Sequence, residues 1–259
     1  MRSVVVGREG AAVVAILRDA AEAVHDAVSA LADLGSPGSR PGQTDADEVA
    51  DAAAIRVLLA AGLGVVSEES GVLRTGHEVT VVLDPVDGSI NAARGLDLYA
   101  TSLCAIDADG PLAAVVRNLA TGTTYEALRG EGATRGWAAI GPSRCRSLDE
   151  AVVALSGHPV CRPGASSRSL GVASLALCGV ADGTFDAFID FDDDHHHLWD
   201  LAGGMFVCAE AGVALADVRG RPLWPASLTE RRSILAAARA ELLDGCRRFV
   251  DENGSATAS

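Results

Sequence analysis

The stretch VTVVLDPVDGSIN at residues 79–91 sets the tightest limit on how this chain folds. An apolar, β-branched run ends in two carboxylates, Asp84 and Asp87. Pro85 and Val86 separate them, and the hydroxyl of Ser89 follows one glycine later. A strand that stops at an acidic turn holds hard oxygen ligands on a rigid edge. Gly88 lets the backbone approach a ligand closely. The pattern predicts a magnesium-dependent site for a phosphate ester.

The rest of the chain has the means to build around such a strand. Its 259 residues suffice for one large domain or two modest ones, and 49% are hydrophobic, enough for a substantial core. The formal net charge of −14 argues against a nucleic-acid binder, which needs a basic footprint. It does not argue against a phosphate substrate, because bound divalent cations invert the local field. All 21 basic residues are arginine, which reads as genomic composition rather than function. The six cysteines form no C-x-x-C pair and read as reduced thiols of a cytoplasmic protein. The N-terminus lacks a signal-peptide pattern, and no apolar run approaches the ~20 residues that span a membrane.

Taken in order, residues 10–34 carry Val13, Leu17, Ala20, Val24, Val28 and Leu31 on one face and predict a helix stopped by Gly35. A Gly/Pro/Ser-rich loop (35–47) and a second helix ending at Gly62 follow. LGVVSEESG (63–71) predicts a short buried strand that delivers Glu68 and Glu69 at its end. Residues 79–83 are the next strand, and 99–107 with 111–118 a β-hairpin. Short strands broken by glycine continue to Trp137. Composition shifts near 138–150, predicting an N-terminal α+β half over 1–140 and a C-terminal α/β half over 141–259. In the second half, 152–157, 184–191 and 213–218 predict strands. Residues 168–183 predict a helix whose N-terminus is Ser169–Gly171, and 199–212 a helix opened by Asp200. Residues 233–252 begin as a strand and end as the last helix; DDDHHH (192–197) reads as a polar loop, and the tail as frayed.

Four carboxylates end apolar segments: Glu68, Asp84, Asp87 and Asp200. Mg²⁺ takes octahedral oxygen ligands, and two such ions about 4 Å apart clamp the attacking and leaving oxygens of a phosphoryl transfer. Asp84 is central and suits a bridging role, and the turn leaves the Val86 carbonyl as a further donor. Asp200 has a purely structural alternative as a helix N-cap. Ser89 either offers backbone N–H groups to phosphate or orients a water, with Asp51 or Asp47 as proton acceptor.

SEES (67–70), DPVDGSIN (84–91) and WDLAGG (199–204), in that order and spacing, resemble the three motifs of the inositol monophosphatase family. RSLGVASLAL (168–177) resembles its substrate-side helix. The resemblance covers nearly the whole chain and implies a layered αβαβα sandwich of mixed α+β and α/β character. It implies a magnesium-dependent, lithium-sensitive phosphomonoesterase for a small sugar or polyol phosphate, acting by in-line attack of water, and a homodimer. Glu68, Asp84 and the Val86 carbonyl would hold one metal, and Asp84, Asp87 and Asp200 a second. Glu69 would support a third, weakly held ion. Gly88 and Ser89 would bind phosphate. Ser89 with Asp51, chosen over Asp47 because VADAAA (49–54) resembles the family segment, would activate the water. Gly171, Val172, Ala173 and Asp190 would contact the alcohol.

The chain departs from the family pattern in three places. Ser89 stands where threonine is common and keeps the hydroxyl. Gln43 and Arg40 stand near the position of a loop lysine. The segment between Asp190 and Asp200 is about two residues longer and carries DDDHHH; a transition-metal site there is a less favoured reading than a solvated rim loop. Fructose-1,6-bisphosphate and histidinol phosphate remain alternative substrates on the same scaffold. A catalytically silent ligand binder is the reading from another class, and it is disfavoured because the four-carboxylate set is intact.

Overall fold

A computed structural model describes residues 2–40, 43–74, 76–159, 161–191, 194–225 and 227–253. The chain opens with two helices, α1 (Arg2–Ser29) and α2 (Asp45–Ala60). Strands β1 (Gly64–Ser67), β2 (Gly71–Leu73) and β3 (Thr80–Asp87) lead to the single turn α3 (Ser89–Ala93). Then come β4 (Ala100–Asp107), β5 (Gly110–Asn118), β6 (Thr124–Leu128), β7 (Gly132–Arg135) and β8 (Ala138–Ala139). The second half holds β9 (Val152–Ser156), β10 (Ser166–Ser169), α4 (Ala173–Ala181), β11 (Ala187–Asp190) and β12 (His196–His197). It ends with α5 (Leu198–Ala211), β13 (Ala214–Asp217), β14 (Arg231–Arg232), β15 (Ile234–Ala237) and α6 (Ala240–Asn253).

Two sheets result. The first runs β2-β1-β3-β4-β5-β6-β7-β8, antiparallel except for the β1–β3 pair; the second runs β10-β9-β11-β15-β13. The period of two along each strand decides what packs where. On β3, Val81 and Leu83 point into a core with Leu17, Val24 and Leu58 of α1 and α2. Val82, between them, points the other way into a core with Leu177 of α4 and Leu201 and Met205 of α5. That middle core also takes Ala154, Phe188 and Ala236 from the second sheet. The opposite face of the second sheet, with Val153, Ile189 and Leu235, packs on Leu242 and Cys246 of α6. The order of layers is therefore αβαβα, an α+β sandwich.

The middle layer is tight because two glycines let α5 approach its neighbours. A Cβ on Gly204 would lie 2.7 Å from Leu177 Cβ and 2.9 Å from the Ser174 carbonyl oxygen. Gly204→Ala is expected to cost about 1–3 kcal/mol by overpacking, read as a lower urea midpoint with unchanged m-value.

Three expected elements differ from those observed. The first helix starts at Arg2 and stops at Ser29, because the Leu31 amide turns back to Val28 and Gly35 donates to Asp33 instead of continuing the ladder. The helix expected from Ser169 begins at Ala173, since Ser166–Ser169 pair with β9 and Gly171 takes a left-handed φ of 67°. The DDDHHH segment is not a solvated loop where it is described. His196 and His197 pair with Arg231 and Arg232, and Asp194 is gripped by Arg219 and Arg221. Asp192 and Asp193 lie outside the described residues, as do Pro41 and Gly42 of the first loop and the tail from Gly254.

Candidate metal and phosphate site

The β1 and β3 strands run parallel and end side by side, so Glu68 arrives next to Asp84; the Glu68 amide donates to the Leu83 carbonyl at 3.1 Å. Beyond Asp84 the pairing of β3 with β4 shifts register in a bulge, and Val86 and Asp87 line the same cavity as Asp84. Asp200 enters from the first turn of α5, 113 residues after Asp87 in the numbering. One carboxylate oxygen from each of Glu68, Asp84 and Asp200 lies within 4.8 Å of the others. These residues line a cavity of about 220 Å³ together with Asp47, Glu69, Val86, Asp87, Gly88, Ser89 and His196.

The carboxylates are differently supported. Asp84 is 2% exposed, and its Oδ1 is buried with no hydrogen-bond partner among the described residues. Asp87 Oδ2 accepts from the backbone and hydroxyl of Ser174, at 2.7 and 2.5 Å. Asp200 Oδ2 accepts the His197 amide at 2.8 Å and faces His196 Nδ1 at 3.3 Å; the N-cap is His197 rather than Asp200, which sits three residues into the helix and caps back on it while also lining the cavity. Glu69 Oε2 is held by Arg40 and Gln43. Gly88 has a left-handed φ of 85°, and a Cβ there would meet the Leu98 carbonyl at 3.0 Å and Val172 at 3.2 Å.

Electrostatics follow from crowding. Burial raises Asp84 well above the ordinary carboxylate range, and Glu68, Asp87 and Asp200 push it further. The Glu68 side chain opens on the cavity, yet lost hydration and then Asp200, Glu69 and Asp87 raise it to about 8. Asp87 rises to about 6, burial outweighing the two Ser174 hydrogen bonds. Such a cluster is short of positive charge. An unpartnered buried oxygen at its centre and all-oxygen donors fit a hard divalent cation.

The structure separates Asp47 from Asp51. Asp47 lines the cavity; its Oδ2 takes the Thr44 amide and hydroxyl in a capping box, and Oδ1 carries no hydrogen bond among the described residues. Asp51, one helical turn on, does not line it. Its oxygens accept from Ser67, at 2.5 Å, and from Ser70. Ser89 thus shares the cavity lining with Asp47, whereas the expected partner Asp51 accepts from β1 and from the turn after it. The Thr44-x-x-Asp47 capping signature was visible in the sequence but reads as purely structural.

Gly171, Val172 and Ala173 line a neighbouring cavity of about 290 Å³ that shares Asp87 and His196 with the first. Asp190 is buried at the end of β11, its Oδ2 3.9 Å from His196 Nε2. Sequence reasoning missed Ser174 and Ser156, which no spacing rule marks. It named His196 only as part of a loop.

Comparison with known proteins agrees with this geometry. The model of the inositol monophosphatase family matches residues 8–252. A fructose-1,6-bisphosphatase/inositol-1-monophosphatase of Archaeoglobus fulgidus is 37% identical over 199 residues, 74% of this chain and 77% of that protein. An inositol-1-monophosphatase of Mycobacterium leprae is 30% identical over 218 residues, 71% and 74% of the two chains. Among solved structures, a Pyrococcus horikoshii protein described as similar to inositol-1 monophosphatase superposes with a TM-score of 0.80 at 25% identity, over 94% of this chain and 98% of that one. This chain belongs to the inositol monophosphatase family, phosphoric monoester hydrolases that need a divalent metal.

Proposed function

We propose that this protein is a Mg²⁺-dependent phosphomonoesterase acting on a small sugar or polyol phosphate of the inositol monophosphate type. The observation that carries the reading is the convergence of Glu68, Asp84 and Asp200 within 4.8 Å, around a buried and unpartnered Asp84 oxygen, in one cavity with Gly88 and Ser89. Glu68, Asp84, Asp87, Asp200 and the Val86 carbonyl would hold the cations. Mg²⁺ bound there would lower the pKa of water and neutralise phosphoryl charge. Gly88 and Ser89 would seat the phosphate through backbone N–H groups. The Ser89 hydroxyl would orient the attacking water, and the free oxygen of Asp47 would take its proton. Gly171, Val172, Ala173 and Asp190 would face the departing alcohol. Glu69, tied to Arg40 and Gln43, would serve as a support rather than a principal ligand.

Purified protein with Mg²⁺ should release phosphate from at least one of inositol phosphate, fructose 1,6-bisphosphate, histidinol phosphate and 3′-phosphoadenosine 5′-phosphate, and lithium should inhibit it. No release from any of them, with the cation bound, would favour the silent ligand-binding reading. The names of the archaeal relatives keep fructose 1,6-bisphosphate as the second substrate to try. A cytoplasmic home is part of the same proposal: the six cysteines are free thiols, and among the described residues no helix is long and apolar enough to cross a membrane. So is a homodimer, which sedimentation would test.

The cluster also makes stability depend on pH in a set direction. Glu68 and Asp87 have folded pKa values of about 8 and about 6, above their unfolded values. Each contributes stability that is fully present below the unfolded range, near pH 4, and lost as pH rises through the folded value. Tm of the metal-free protein should therefore fall between about pH 5 and pH 8. Added Mg²⁺ should raise Tm more at pH 8 than at pH 5, because it competes with protons for the same oxygens. An equal rise at both would contradict this account.

A further inference from the structure

We infer that His196 is a positioning residue: it aims the Asp200 carboxylate at the cation and ties it to the wall of the alcohol-side cavity. The inference rests on the reading of Asp200 as a cation ligand. His196 lines both cavities and forms part of the partition between them. Its Nδ1 lies 3.3 Å from Asp200 Oδ2, and its Nε2 lies 2.7 Å from Ser156 Oγ at the end of β9. Asp190, at the end of β11, is 3.9 Å from the same Nε2. One ring thus links two strand ends of the second sheet to the first turn of α5.

The consequence for Asp200 is specific. The His197 amide already occupies Oδ2 at 2.8 Å, and the imidazole approaches the same oxygen. Two donors on one oxygen fix the rotation of the carboxylate and leave the other oxygen for the cation. Nδ1 carries a proton in the charged ring and in the neutral tautomer that accepts from Ser156, so the role holds in either state. Partners of this kind raise metal affinity by preparing the ligand before binding.

The ring is itself held. His196 pairs with Arg232 across β12 and β14. Two residues earlier, Asp194 receives the Arg221 fork at 2.5 and 2.9 Å and Arg219 at 2.9 Å, and its amide donates to Ser233 Oγ at 2.8 Å. Arg221 is braced in turn by Asp217 at 2.8 Å. A side chain that orients a ligand needs such a rigid base.

The test compares H196A, H196N and H196Q by calorimetric titration with Mg²⁺ alone, and by phosphate release as a function of Mg²⁺. H196A should weaken Mg²⁺ binding by about 10-fold or more and raise the Mg²⁺ needed for half-maximal rate by the same factor. The rate deficit of H196A should be largest at low Mg²⁺ and shrink as Mg²⁺ is raised, since the ligand's aim is what is lost. An Asn amide N–H falls near the place of Nδ1, so H196N should recover affinity to within about 3-fold; a Gln amide falls near Nε2, so H196Q should not. Wild-type affinity in H196A, or equal behaviour of the Asn and Gln variants, would overturn the inference. If H196A fails to fold, the Asn–Gln pair decides. Wild-type protein that binds Mg²⁺ but releases no phosphate would sink the functional reading while leaving the calorimetric comparison valid.

Discussion

Asp84→Asn is expected to lower phosphate release by at least about 10³-fold while leaving the fold intact, because it removes charge from the centre of the cation site. The metal-free variant should melt no lower than wild type. Asp84 is buried at 2% exposure, with Glu68, Asp87 and Asp200 all acting to raise its pKa, so neutralising it relieves repulsion. The same relief makes a second readout available: Mg²⁺ should no longer raise Tm appreciably. Near-normal turnover in this variant would remove Asp84 from the mechanism. Loss of both activity and metal-free stability would mean that the carboxylate is structural.

The second large effect separates Asp47 from Asp51. Asp47→Asn should cost about 10²–10⁴-fold in kcat, the usual range for a general base. Burial raises the Asp47 pKa against the pull of its Thr44 hydrogen bonds, which makes the carboxylate a better proton acceptor. Asp51→Asn should act elsewhere. It weakens the acceptors of the Ser67 and Ser70 hydroxyls and should cost about 1–3 kcal/mol of stability in urea. Its kcat at saturating Mg²⁺ should stay within about 10-fold of wild type. The reverse pattern would restore Asp51 to the role that the sequence resemblance gave it.

The contrast between these two residues shows where the sequence was legible. Strand ends are written locally: β-branched runs stopping at Glu68 and Asp84 need no tertiary information to be seen, whereas the layered sandwich was implied only by the family resemblance of the motifs. Asp47 and Asp51 are one helical turn apart on the same face, and choosing between them depends on what lies above each. That is the β1 end and Ser70, which come from a different part of the chain. Ser174 was invisible for the same reason, since its bonds to Asp87 join residues 87 positions apart. The histidine segment misled because Asp, His and solvent exposure usually go together. Here Arg219 and Arg221, more than twenty residues downstream, draw Asp194 in. The α4 boundary failed because a helical apolar pattern continued back through residues that the β9 edge had captured.

The middle helices carry a consequence for how the molecule comes to life on refolding. Glu68, Asp84 and Asp87 sit on the first sheet, whereas Ser174 and Asp200 ride on α4 and α5, which lie between both sheets. The first sheet can form from contacts close in sequence, but the cation cradle closes only after the chain has returned from its second half to dock those helices. Contacts of such long sequence separation are the slow ones. The cation cradle is thus complete only when residues from both halves of the chain are docked together, so it reports on the docking of the middle helices.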